Sequence, residues 1–346
     1  MRKRNFPGYA FLDEMRQRLG GWLLLLIGVI FYPSIITNFT GMVAGYRELG
    51  DASLAAGATL LMLTAGSIPV IAARALIRMR QDELTNPVST RSLLYLMFSV
   101  SPLYVASILV AAKTGIVRHH GVIWVCTWML AGLALCLGSS RNASHPPATQ
   151  APWLRMVHGA AALSLLLGFL IAHLINHDLA IWSVKLHGAA MEWLRLWYRS
   201  EWVEPLLFAL LMVMIATGAP LVAHHSRRST DAFRVVQMAT GVYIAVFLCA
   251  HLLAVLGARS AGVETDWFFA TGRNGLLDGR GMLIPYYFFA VLFAITHVGC
   301  GLRIVLLKHG VAAAIANKAV YSFAAAGCIV TALATIAALG WNIRSF

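Results

Sequence analysis

Long apolar runs separated by short polar stretches fill the chain. Nine approach or exceed the ~17–25 residues that a helix needs to cross a hydrocarbon core. They cover 21–38, 54–77, 92–112, 122–138, 157–176, 203–223, 235–256, 283–307 and 317–342, and 122–138 is the shortest. The pattern predicts an all-α, polytopic transmembrane bundle of about nine helices. The stretch "GSSRNASHPPATQAP" (138–152) is polar, holds three prolines and reads as a linker. It divides the chain four plus five: an N-terminal transmembrane region at 1–140, a cytoplasmic linker at 141–154 and a second transmembrane domain at 155–346. "TRSLLYLMFSVSPLYVASILVAA" (90–112) can be laid on "AFRVVQMATGVYIAVFLCAHLLA" (232–254), which leaves an internal duplication open.

Composition agrees with the pattern. Hydrophobic residues make up 59% of the 346 positions and charged residues only 12%, with a mean hydropathy of +0.73. Soluble domains sit near 25% charged, so a soluble globular fold is excluded. The net charge of +13 raises nucleic acid as a partner, but its placement favours a bilayer instead. With nine crossings, the side holding the N-terminus carries 17 of the 27 Lys and Arg. The positive-inside rule makes that side cytoplasmic. "MRKRN", "RMRQDELTNPVSTR" and "HHSRRSTDAFR" then face the cytoplasm and "WNIRSF" faces out, as in a bacterial inner-membrane protein. The first apolar run lacks a following small-residue cleavage site, so no cleavable leader is expected. The five cysteines lie far apart in apolar runs, without CxxC or CxxCH, and read as small buried hydrophobes.

The histidines carry the chemistry. Of twelve, none falls inside the first four apolar runs, and His119 and His120 sit in an outer loop. Those at membrane depth, His158, His173, His251 and His297, all follow the linker. Polar groups there are costly and usually pair or bind something in the bundle interior. His173 and His251 each lie about 16 residues into helices that run from cytoplasm to outside, so at ~1.5 Å per residue they share a level in the outer membrane half. Two imidazoles at one depth are what a bis-histidine haem needs, one axial nitrogen on each face of the ring. Interhelical hydrogen bonding is the plain alternative.

His297 lies in the inner half. Met214, on a helix running the same way, reaches a similar level, and each is followed four residues later by glycine, Gly218 and Gly301. A thioether can serve as an axial ligand, and ordinary core filling would equally place a Met there. His158 is about 22 Å from His173 along the axis and cannot share its haem. With Arg155 beside it and Arg303 near the same membrane face, it is a candidate for quinone or haem-propionate contact. His177, His187, His224, His225 and His309 are assigned to interfacial positions. The aromatic, basic segment 177–205 suits a helix lying in the interface.

Four stretches resemble one family. "GAAALSLLLGFLIAHLINH", "VEPLLFALLMVMIATGAPL", "FRVVQMATGVYIAVFLCAHLLAV" and "AITHVGCGLRIVLLKHG" are similar to successive helices of the membrane-anchor cytochrome b of succinate dehydrogenases and fumarate reductases. The resemblance covers 155–346. It implies one haem b on His173 and His251, and His297 as a ligand of another. Diheme members have histidine where this chain has Met214. A His/Met haem, a haem with another partner and a single-haem protein all remain open. The resemblance further implies a non-catalytic electron-transfer subunit that docks iron–sulfur and flavoprotein partners and exchanges electrons with membrane quinone. A cytochrome b of another dehydrogenase, a transmembrane electron carrier and a haem-free scaffold are the alternatives. The first four helices are not part of the usual anchor.

Overall fold

The computed structural model describes residues 23–79, 88–137, 152–226 and 231–343. The N-terminal basic cluster, residues 138–151 of the linker, most of the basic loop at 78–91, and Arg227 and Arg228 lie outside the described residues. All regular structure within them is helical. α1 (Leu23–Ile30) and α2 (Tyr32–Leu49) form one bent pair with a 54° angle, and α3 (Ala52–Met79) follows. α4 (Val88–Phe98) and α5 (Val100–Thr114) form a second, and between Thr90 and Thr114 the bend is 79°. A 3₁₀ turn at Val117–His119 leads into α6 (His120–Leu137). α7 (Pro152–Leu165), a π-helical turn at Leu166–Leu170 and α8 (Ile171–Leu179) make one crossing, Pro152–Leu179. α9 (Val184–Tyr198) follows, then α10 (Val203–Ser226) and α11 (Ala232–Ser260). The short α12 (Trp267–Thr271), α13 (Leu283–Lys308) and α14 (Ala313–Ala338) complete the chain.

Six helices are long and apolar enough to cross a membrane, and eight if each bent pair is one crossing. The ninth apolar run, 122–138, falls on α6, an 18-residue helix about 27 Å long. The expected all-α bundle is therefore what the chain forms. The α4–α5 bend has a local cause. Pro102 cannot donate to the Phe98 carbonyl and its ring crowds that group. Ser99 N–H instead donates to the Tyr95 and Leu96 carbonyls (3.2 and 3.0 Å). The segment that aligns with it in sequence, α11, is one continuous helix of 29 residues, so the internal likeness does not extend to shape.

The largest core spans both sides of the linker. Val29, Tyr32, Leu94, Met97 and Phe98 pack with Met238, Ala239, Tyr243 and Phe289. Tyr243 is fully buried, and its hydroxyl donates to the Pro285 and Tyr286 carbonyls at 3.2 Å each. Trp124 Nε1 donates to the Val29 carbonyl at 2.9 Å, and Arg91 reaches the Ser226 carbonyl.

These contacts orient α11. At about 100° per residue, Val235, Met238, Ala239 and Tyr243 share one face, which packs into that core. Gln237, Thr240, Gly241 and His251 fall on the opposite face. On α13 and α14, Gly299 lies against Phe323, and Gly327 against Leu292 and Ile295, so small residues permit close backbone approach. The Pro152–Leu179 crossing and α10 stand at the rim. Only 6% of the most apolar window of each is buried, leaving their outer faces for lipid.

Candidate functional site: histidines at two levels

Pro152–Leu179 packs closely on α10, and α11 packs closely on α13. Histidines project from both pairs at two levels. Along Pro152–Leu179, 15 residues separate His158 from His173, a little over four turns, so both lie on one side of the crossing. The π-helical turn at Leu166–Leu170 falls between them, and such turns are frequent at functional sites.

The inner level is built twice from the same parts. His158 Nδ1 lies 2.9 Å from Thr217 Oγ1, and the Met214 backbone is within electrostatic reach of the ring. His297 Nδ1 lies 3.2 Å from Thr240 Oγ1 and 2.9 Å from the Gln237 carbonyl. Each threonine hydroxyl donates back into its own helix, Thr217 to Val213 O (2.6 Å) and Thr240 to Val236 O (2.8 Å). The hydroxyl oxygens are therefore free to accept, and carbonyls only accept. Both Nδ1 atoms must carry the proton, which leaves Nε2 of each ring as the unprotonated nitrogen. Behind each threonine is a glycine against which the ring lies. A Cβ on Gly218 would stand 3.4 Å from His158 Cε1, and one on Gly241 would stand 3.0 Å from His297 Cε1. The two imidazoles are within electrostatic reach of each other. Thr217 lies nine residues from the inner end of α10 and Thr240 eight from that of α11, so their depths match.

At the outer level His173 and His251 are likewise within electrostatic reach. His251 stacks on Phe247, with ring centroids 5.4 Å apart and planes 14° apart. His173 stacks on Phe169 (4.8 Å, 23°), and its Nε2 lies 3.3 Å from His177 Nε2. His177 therefore belongs to the site, one turn above His173, and does not stand apart at the interface. His187 is also inside: it is 2% exposed, and its Nδ1–H donates to the Asn176 carbonyl at 2.7 Å. Its ring packs on Trp267 at 4.7 Å and stacks on His177 at 5.5 Å. Burial holds the His187 imidazole below its usual pKa, so it stays neutral.

α9 caps this level. Ser183 caps its N-terminus, accepting from Leu186 N–H at 3.0 Å. Arg195 pairs with Glu264 (2.5 Å) and Arg199 donates to Thr265 Oγ1 (2.8 Å). Tyr198 packs edge-on to Phe169 at 5.5 Å, and Trp197 approaches Gly168. Trp193, Leu196 and Trp202 remain exposed, as expected of a helix in the membrane interface.

The other candidate residues have different surroundings. Met214 brings its backbone within electrostatic reach of His158. Arg303 is committed: Nη1 pairs with Asp231 (2.5 Å), Nε donates to Asn317 Oδ1 (2.7 Å), and the guanidinium lies over Phe233 at 4.5 Å. Arg155 is exposed at the start of α7. Arg234, not singled out by sequence, donates to Gln237 Oε1 at 3.0 Å and is within electrostatic reach of Arg155 and Arg303.

The residues present fit a flat, imidazole-ligated group. The donors are imidazole nitrogens, they come from facing helices, and glycines back both inner rings. No group of three or more His, Cys, Asp or Glu side chains set to hold a bare metal ion occurs among the described residues.

Fold and site thus define a class, a polytopic helical membrane protein with imidazoles held between its helices at two depths. Compared with protein-family models, curated proteins and solved structures, the chain matches none.

Proposed function

We propose that the chain is a haem b-bearing membrane subunit of a succinate dehydrogenase- or fumarate reductase-like complex. It passes electrons between iron–sulfur and flavoprotein partners on the cytoplasmic side and quinone in the bilayer of a bacterial inner membrane. The observation that carries this reading is the approach of His173 and His251, on separate crossings and at one depth, within electrostatic reach. A haem bound there would supply one-electron chemistry. His173 and His251 would hold it, and α9 would keep water from it and set its level in the membrane. His177 Nε2 meets His173 Nε2 at 3.3 Å, so haem binding at His173 would require that contact to part or the ring to ligate through Nδ1. Dicarboxylate chemistry would belong to partner chains.

A second reading, a cytochrome b of another dehydrogenase or a transmembrane electron carrier, is favoured by one feature. The N-terminal helices are built into the same core as α11 and α13, an addition the usual anchor lacks. Purification in mild detergent with an oxidised and a dithionite-reduced spectrum tests both readings. A low-spin α-band lost in His173→Ala and in His251→Ala is expected. Absence of any α-band from the intact chain refutes haem function altogether. Co-purifying flavin and iron–sulfur subunits would select the first reading over the second.

A further inference from the structure

We infer that His158 and His297, through their Nε2 atoms, are the two axial ligands of a second, inner haem b, and that Met214 is not a ligand. The inference rests on the haem reading above and deepens it. Its ground is the repeated construction of the inner level. Met214, Thr217 and Gly218 on α10 stand to His158 as Gln237, Thr240 and Gly241 on α11 stand to His297. In each case the threonine hydroxyl takes the Nδ1 proton, joined at His297 by the Gln237 carbonyl, and the glycine lacks the Cβ that would press on the ring.

A hydrogen bond from Nδ1–H to a carbonyl is the usual partner of a metal-ligating imidazole. It fixes the tautomer and raises the basicity of the far nitrogen. Neither Nε2 has a hydrogen-bond partner among the described residues, which a role as interhelical glue alone does not explain. On α10 it is Thr217, three residues after Met214, that holds His158. On the cytoplasmic side of this pair, Arg155 and Arg303 each lie within electrostatic reach of Arg234, and Arg303 also pairs with Asp231. The positive charge gathered there suits the two propionates of a haem b.

The test is the haem-to-protein ratio and the reductive titration of the full-length chain and four variants. The unmodified chain is expected to hold two haems and titrate in two steps. His158→Ala and His297→Ala are each expected to halve the haem and remove the same step. The outer haem that remains shows that these variants fold. His158→Met should keep two haems and shift the inner step to higher potential, as thioether ligation does. Met214→Leu should keep both haems and both steps. The inference is overturned if the chain holds one haem that survives His158→Ala, or if Met214→Leu loses the inner haem while His158→Ala keeps it. A chain with no haem overturns it together with the proposed function, whereas one haem on His173 and His251 overturns it alone.

Discussion

The two glycines behind the inner histidines are not equivalent. A Cβ at Gly218 would make near-ordinary contact with His158, whereas at Gly241 it would reach 3.0 Å from His297, so the ring must move by a few tenths of an ångström. Gly241→Ala should therefore lower inner haem occupancy more than Gly218→Ala, read as haem per chain; the reverse order would contradict the ring placements. His187 gives a second prediction. Its neutral, buried ring has a lowered pKa, so the unfolded or detached state binds the proton more readily. Its stabilising contribution is fully present above the free-imidazole pKa of about 6.5 and declines as pH falls below it. Hydrogen exchange across 184–198 should accelerate on acidification, and His187→Ala should abolish that dependence. The nearness of His173 and His251 was legible, since their matching depths can be read by counting. The inner partner was harder to see. M-x-A-T-G at 214–218 and Q-x-A-T-G at 237–241 are both in the sequence, but a third A-T-G, at 270–272, ends a five-residue outer helix with no such role. Only the fold distinguishes them. His187 escaped because a histidine in a polar loop carries no mark of burial.

Among the elements, α9 and the start of α11 carry the sharpest expectations. Asp231 caps α11, accepting from Phe233 N–H at 3.1 Å, and pairs with Arg303. Asp231→Ala should cost about 1 kcal/mol through the cap and release Arg303. Asp231→Asn should preserve most of the cap and lose only the pair. Thermal unfolding of the two variants in detergent measures the difference, and equal losses would place the weight on the ion pair. For α9, the exposed indoles of Trp193 and Trp197 should be quenched by lipids brominated near the headgroup. Quenching by aqueous iodide instead would remove α9 from the interface. Every long helix was legible as an apolar run. The bends were not, although Pro102 marks one of them. Proline also occurs inside α3 and α10, at Pro69 and Pro220, and neither of those helices is divided. Whether a proline bends a helix depends on what its neighbours pack against, which periodicity does not encode.

At the scale of the whole molecule, the four-plus-five division of the sequence meets one shared core. α11 is its pivot, with one face packed on the N-terminal helices and the opposite face holding Gln237, Thr240, Gly241 and His251. The described N-terminal helices thus help to fix the orientation of that face. Substituting Tyr243, buried among Phe98, Phe289 and Phe293, by Ala should cost about 3–5 kcal/mol and lower haem content at both levels, since it loosens the helix that serves both. The two levels, about 22 Å apart along the crossing, would give electrons a path through most of the bilayer. The most direct measurement is the number of haems per purified chain, taken from the reduced-minus-oxidised spectrum against protein concentration. The expected result is two low-spin haems b, one lost with His173 or His251 and the other with His158 or His297. A chain that binds no haem would contradict the central claim.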